Sequence, residues 1–135
     1  MSLDQDQVRD FARSYTDAWR THDPTKVAEH YASGGTIAIN GGPPTEITEA
    51  AQSFMTAFPD IEVFMNDVVV KDDVVEYHWT FTGTNTGPDG AGKWVRITGF
   101  EEWTFGDDGL VAESQGHYDQ AEYERQLEHG APELG

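Results

Sequence analysis

The chain of 135 residues sets eight Lys and Arg against 25 Asp and Glu, a formal net charge of −17, and has no cysteine. That charge excludes the basic footprint that nucleic acid or an anionic membrane surface requires. The lack of cysteine excludes disulfide frameworks, thiolate metal sites and cysteine nucleophiles.

The length fits one domain over residues 1–135, long enough to bury a core without covalent staples. No run approaches the roughly 18 apolar residues of a membrane span. The first residues, Met1 to Asp6, have neither a basic nor an apolar leader region, so a cytoplasmic location is expected. Only three cations are lysines: Lys26, Lys71 and Lys93. An acid-rich, lysine-poor surface suits a high-salt cytoplasm, where screening removes self-repulsion; it also suits an ordinary, well-solvated acidic protein.

Residues 4–21 read as a first helix, because Val8, Phe11, Tyr15, Ala18 and Trp19 recur at three- and four-residue steps. Asp4 or Ser2 is its expected cap. His22-Asp23-Pro24 ends it and starts a second helix, with Asp23 as N-cap and Pro24 in the first position. That helix is expected to run to about Tyr31, with Gly34-Gly35 as its stop. Thr36 to Asn40 reads as a short strand, Gly41 to Pro44 as a turn, and Thr45 to Phe58 as a third helix burying Ile47, Ala50, Ala51, Phe54 and Phe58.

Four long strands follow, over about Ile61–Lys71, Val74–Gly83, Lys93–Phe105 and Gly109–Tyr118. Asp72-Asp73 and Gly106 to Gly109 form the hairpin turns, and Thr84–Gly92 the longer loop. In the second strand Val75, Tyr77, Trp79 and Phe81 share one face, with His78 on the other. In the third, Val95, Ile97, Gly99, Glu101, Trp103 and Phe105 share one face, with Trp94, Phe100 and Glu102 opposite. A short helix over Asp119–His129 ends the chain. Strands this long twist and curl, and three helices with apolar stripes must cover one face. The expected architecture is α+β: a cone-shaped, mainly antiparallel sheet packed by helices around a central cavity.

The order of elements and several motifs resemble the nuclear-transport-factor-2-like superfamily and, within it, the SnoaL-like polyketide cyclase and ester cyclase family. The resemblance is carried by Phe11 to Trp19 with His22-Asp23-Pro24, by Phe58-Pro59-Asp60, by Trp79 to Gly87, by Gly99-Phe-Glu-Glu-Trp103, and by Asp108-Gly109 with Glu113 and Asp119. Two departures stand out. The loop Pro88 to Gly92 is shorter than the family's, and Gln115 stands where an aromatic is usual. The resemblance implies a homodimer joined through the sheet's outer face, where Trp94, Phe100 and His78 fall. It also implies a small hydrophobic, carbonyl-rich ligand in the cavity and no cofactor or metal.

The position of Asp119 matches the family's acid/base aspartate. A carboxyl held in an apolar pocket has a raised pKa, so one group can take a proton from a carbon acid and return one to an alkoxide. The competing role for Asp119 is a helix N-cap. Glu101, the one charge on an apolar strand face, must be paired, protonated or facing a cavity. Arg96 or a tyrosine hydroxyl is its expected partner, unless the strand register places Glu102 inside instead. Tyr15 resembles the enolate-stabilising phenol of ketosteroid isomerases, and it also fits as a core tyrosine. Asn40 falls near their base aspartate, a role that an amide cannot fill. Trp19, Phe54, Trp79 and Trp103 are expected in an aromatic pocket wall or as core packing. Gln115 and His117, which share strand parity with Asp119, are expected beside the pocket, with a surface position as the alternative for His117.

The functional expectation is a cofactor-free cyclase or isomerase using Asp119, Glu101 and Tyr15. The alternatives are a non-catalytic binding or stress-related module and, third, a hydrolase activating water with the same carboxylate.

Overall fold

The computed structural model describes residues 4–72, 74–88 and 90–131; Ser2 as a cap, Asp73 of the expected turn and Asp89 of the expected loop lie outside them. The chain begins with α1 (Gln5–Arg20), whose first turn is capped by the Asp4 carboxylate accepting from the Asp6 N–H at 2.9 Å. Its buried stripe is Val8, Ala12, Tyr15, Ala18 and Trp19. α2 (Pro24–Ala28) starts as expected, with Asp23 accepting from the Thr25 N–H at 3.0 Å and Pro24 in the first turn.

The helix ends earlier than its sequence suggests. Tyr31 opens a strand, β1 (Tyr31–Ile39), that passes through both glycines instead of starting after them. Gly34 takes φ 77°, open to glycine at little cost, and the pairing register shifts between Tyr31 and Thr36. The two-residue β2 (Thr45–Glu46) pairs with β1 and precedes α3 (Ile47–Ala57).

The four long strands form as expected: β3 (Glu62–Lys71), β4 (Val74–Thr84), β5 (Trp94–Phe105) and β6 (Val111–Tyr118). α4 (Gln120–His129) closes the fold. The sheet order is β2-β1-β6-β5-β4-β3, antiparallel except for the β1–β6 pair. β4 alternates without a break, with Val75, Tyr77, Trp79, Phe81 and Gly83 buried. Its pairing with β5 runs unbroken from Val74–Thr104 to Thr84–Trp94. That register fixes Glu101 on the inner face opposite Tyr77, while Glu102 faces out beside Glu76.

The inner face packs against α1, α2 and α3, and the core lies between them. α4 is tied to β5, where Gln126 Oε1 accepts from the Arg96 N–H at 2.8 Å. On the outer face the Phe100 ring lies between those of His78 and His117, at centroid distances of 5.4 and 4.8 Å, and Trp94 is 45 % exposed. Among the described residues, no helix is long and apolar enough to cross a membrane.

Candidate active site

Glu101 is the polar centre of the inner face and is only 6 % exposed. Four neutral donors converge on it from four elements. From β5 itself, Trp103 Nε1 donates at 3.0 Å. From β6, Ser114 Oγ donates at 2.8 Å. From β1, Tyr31 Oη donates at 3.1 Å. From α1, Tyr15 Oη is shared between the two carboxyl oxygens at 3.2 and 3.3 Å. Burying a bare carboxylate costs several kcal/mol, and hydrogen bonds to a charged group recover about 1.5–3 kcal/mol each. Burial is the larger influence here. It holds the Glu101 carboxyl above the ordinary carboxylate range, against the pull of Trp103, Ser114, Tyr31 and Tyr15. Burial and the nearby Glu101 charge in turn push the phenols of Tyr15 and Tyr31 well above their usual value, so both remain protonated donors.

The donors are unevenly spread. Trp103, Ser114 and Tyr31 all meet Oε1, whereas Oε2 has only the long contact to Tyr15. Behind the carboxyl, the Trp103 indole stacks on Tyr77 at 4.8 Å and 15°. Tyr77 Oη is hydrogen-bonded to Thr16 Oγ1. This layer is rigid packing that fixes where the carboxyl points.

Glu101 forms part of the wall of a cavity of about 60 Å³. The rest of the wall is almost wholly apolar, with Trp19, Ile37, Ile47, Phe54, Val63 and Phe81 supplying much of it. Gly116 stands directly across from Glu101 in the β5–β6 pairing and also lines the cavity, so no side chain there comes between the carboxyl and the space. Small-molecule pockets commonly measure about 300–1,000 Å³. A hollow of this size takes a ring or chain end, and a larger ligand has to displace the half-buried Phe54, Ile39 or Tyr118.

The sequence expectations divide on this geometry. Glu101 and Tyr15 come together, and Trp19, Phe54 and Trp79 are in the wall. Trp103 is fully buried behind the wall as a donor to Glu101, not a surface of the cavity. Asp119 is corrected in position. It is exposed and caps α4, with Oδ1 accepting from the Glu122 N–H at 3.0 Å. Asn40 is likewise exposed. It takes φ 51°, accepts from the Tyr118 N–H at 2.9 Å and donates to Gln120 at 3.1 Å, which ties the end of β1 to α4. Gln115 and His117 lie on the outer sheet face, because the register pairs them with Glu102 and Phe100; His117 Nε2 meets Glu102 at 2.7 Å. The inner β6 positions are Ser114, Gly116 and Tyr118, and parity with Tyr118 is the sequence signal that would have found them. The sequence pattern puts Tyr31 at a helix end, and only its strand position turns its hydroxyl to Glu101.

Residues 9–127 match the sequence profile of the SnoaL-like polyketide cyclases. The chain belongs to the SnoaL-like polyketide cyclase family. Solved structures agree on the fold of this family member. TsrD from Streptomyces laurentii superposes with a TM-score of 0.78 at 19% identity, over 93% of this chain and 98% of that one. The epoxide hydrolase/cyclase-like enzyme SalBIII, which has a role in pyran ring formation in the polyether salinomycin, gives 0.75 at 16%, over 87% and 95%. A phenazine biosynthesis-related protein from Pseudomonas aeruginosa gives 0.70 at 16%, over 100% and 91%. No curated protein sequence matches the chain. In this SnoaL-like chain the strand-end aspartate points to solvent, and the carboxyl that borders the cavity is Glu101.

Proposed function

We propose that the protein is an acid/base enzyme that cyclises or isomerises a small hydrophobic carbonyl compound in the inner cavity, with Glu101 as the proton-transfer group. One observation carries this reading: among the described residues Glu101 is the sole carboxyl in an otherwise apolar wall, and burial raises its pKa. A carboxyl of that kind is a better base than an ordinary one and still returns its proton readily. Glu101 Oε2 takes a proton from a carbon beside a carbonyl. In a cyclisation the electron pair left behind forms a carbon–carbon bond to a second carbonyl of the same molecule, and the proton returns to the new alkoxide. Proton transfer alone completes this reaction, so it calls for no cofactor. Family membership supports the reaction class.

The second reading, a binding module without turnover, is favoured by the four donors that lock Glu101 in place. Deuterium exchange into the methyl group of acetophenone, followed by NMR in D2O, separates the two. The native protein is expected to speed exchange over buffer by roughly 10²–10⁴-fold, the usual reach of a positioned base. Glu101→Gln, which keeps the shape of the side chain, is expected to return it to the buffer rate with the fold intact. Exchange no faster than buffer for the native protein, or equally fast for the variant, removes the catalytic reading.

A further inference from the structure

Among the described residues, one buried side-chain polar atom has no hydrogen-bond partner: the indole nitrogen of Trp79. Trp79 is 9 % exposed and lines the same cavity as Glu101. Native structures seldom leave a buried N–H unpaired, and each exception calls for an explanation. Of the two other buried tryptophans, Trp19 and Trp103, the second is fully buried and is paired with Glu101. Trp79 sits diagonally from Glu101 on the inner face, since Trp79 pairs with Gly99 and Tyr77 with Glu101. Diagonal neighbours on one sheet face are within reach of a single small ligand, roughly 7–8 Å apart.

The orientation of this indole is built into the fold. A Cβ at Gly99 would lie 2.8 Å from Trp79 Cζ2 and 2.4 Å from the His117 carbonyl oxygen. The missing side chain at Gly99 is what allows the ring to lie across β5. Phe81 and Tyr118 flank the indole at centroid distances of 5.9 and 6.3 Å.

We propose that Trp79 Nε1 is the anchor for a hydrogen-bond-accepting oxygen of the ligand. The inference rests on the cavity being the ligand site and narrows the ligand class. The ligand is an apolar ring compound with a carbonyl or ether oxygen at the Trp79 end and its reacting carbon at the Glu101 end. The N–H is buried from solvent, so a flanking ring, Phe81 or Tyr118, gives way as the oxygen arrives. Trp79 is thus a positioning and specificity residue. It favours ketones over hydrocarbons of equal shape, because only the ketone pairs the indole.

The test uses two probes of nearly the same shape, acetophenone and ethylbenzene, titrated into protein labelled with nitrogen-15. The protein has four tryptophans, and the Trp79 indole resonance is assigned by its loss in Trp79→Phe. Acetophenone is expected to move that resonance downfield. Ethylbenzene, which carries the same ring current, is expected to leave it nearly in place. Trp79→Phe is expected to weaken acetophenone binding about tenfold, the worth of one such bond, and to leave ethylbenzene binding unchanged. Acetophenone that binds without moving the resonance, or that binds no better than ethylbenzene, overturns the anchor and leaves the cavity reading standing. Failure of both probes to bind overturns the two together. The titration of the native protein stands even if the variant folds poorly.

Discussion

Trp103 Nε1 lies 3.0 Å from Oε1 of Glu101, two residues back along the same face of β5. An indole N–H can only donate, so the oxygen it meets accepts, the role that the carbonyl oxygen of a neutral carboxyl fills best. Ser114 and Tyr31 meet the same oxygen. The proton of a neutral Glu101 therefore sits on Oε2, whose one contact is Tyr15 at 3.3 Å. The carboxyl is thus divided into an oxygen met by four donors and one met by Tyr15 alone.

The first prediction concerns pH. Burial raises the Glu101 carboxyl above its ordinary 4.5, so the folded protein binds that proton more tightly than the unfolded chain does. This favours folding in full below about pH 4.5, and the contribution is lost as pH rises through the folded-state value. Glu101→Gln is permanently neutral and escapes that loss. The stability of the variant relative to the native protein is expected to climb with pH over this interval, by about 1.4 kcal/mol for each unit by which the carboxyl is raised. Urea midpoints measured from about pH 4.5 upward read this directly, and parallel profiles would contradict the assignment.

A second prediction separates capping from catalysis at Asp119. Asp119→Asn keeps a side-chain acceptor for the Glu122 N–H and is expected to change neither stability nor exchange of the ketone probe. Asp119→Ala loses the cap and is expected to cost about 1 kcal/mol of stability, again with exchange retained. Loss of exchange in the Asn variant at unchanged melting temperature would return the acid/base role to Asp119.

Gly99→Ala is the third. The new Cβ meets the His117 backbone oxygen and the Trp79 ring at distances that force one of them to move. Overpacking of this kind costs about 1–3 kcal/mol. A lower melting temperature and a changed tryptophan emission spectrum are expected together; an unchanged spectrum would show that the Trp79 ring does not depend on Gly99.

The fourth concerns salt. Ion pairs such as Arg9–Asp67 at 3.8 Å and Arg20–Glu62 at 3.9 Å are exposed and contribute little. Self-repulsion of a −17 chain outweighs them, and added salt screens it. The melting temperature is expected to rise in molar KCl. A value unchanged or lower there would rule out adaptation to a high-salt interior.

Much of this was legible along the chain. The stripe from Val8 to Trp19 and the alternation in β4 and β5 put Tyr15 and Trp79 inside and narrowed the inner carboxyl to Glu101, or to Glu102 with the register one residue over. β6 resisted the same treatment. Its Ala112, Ser114 and Gly116 are small or polar and its Glu113, Gln115 and His117 are polar, so neither set marks itself as the buried face. Asp119 misled because a helix cap and a buried acid need the same residue type.

The sequence alone determined which face of each strongly patterned element turns inward, because hydrophobic periodicity is written in neighbouring residues. It also determined the family, whose motifs follow one another in order. Only the tertiary structure decided which carboxyl borders the cavity and which groups hold it. Tyr15, Tyr31, Trp103 and Ser114 come from four separate elements, and the register of β6 against β5 is what brings Ser114 inward beside Trp103 and sets Gly116 across from Glu101. Pairing between distant strands obeys no local pattern, so it could be read only once the sheet had formed.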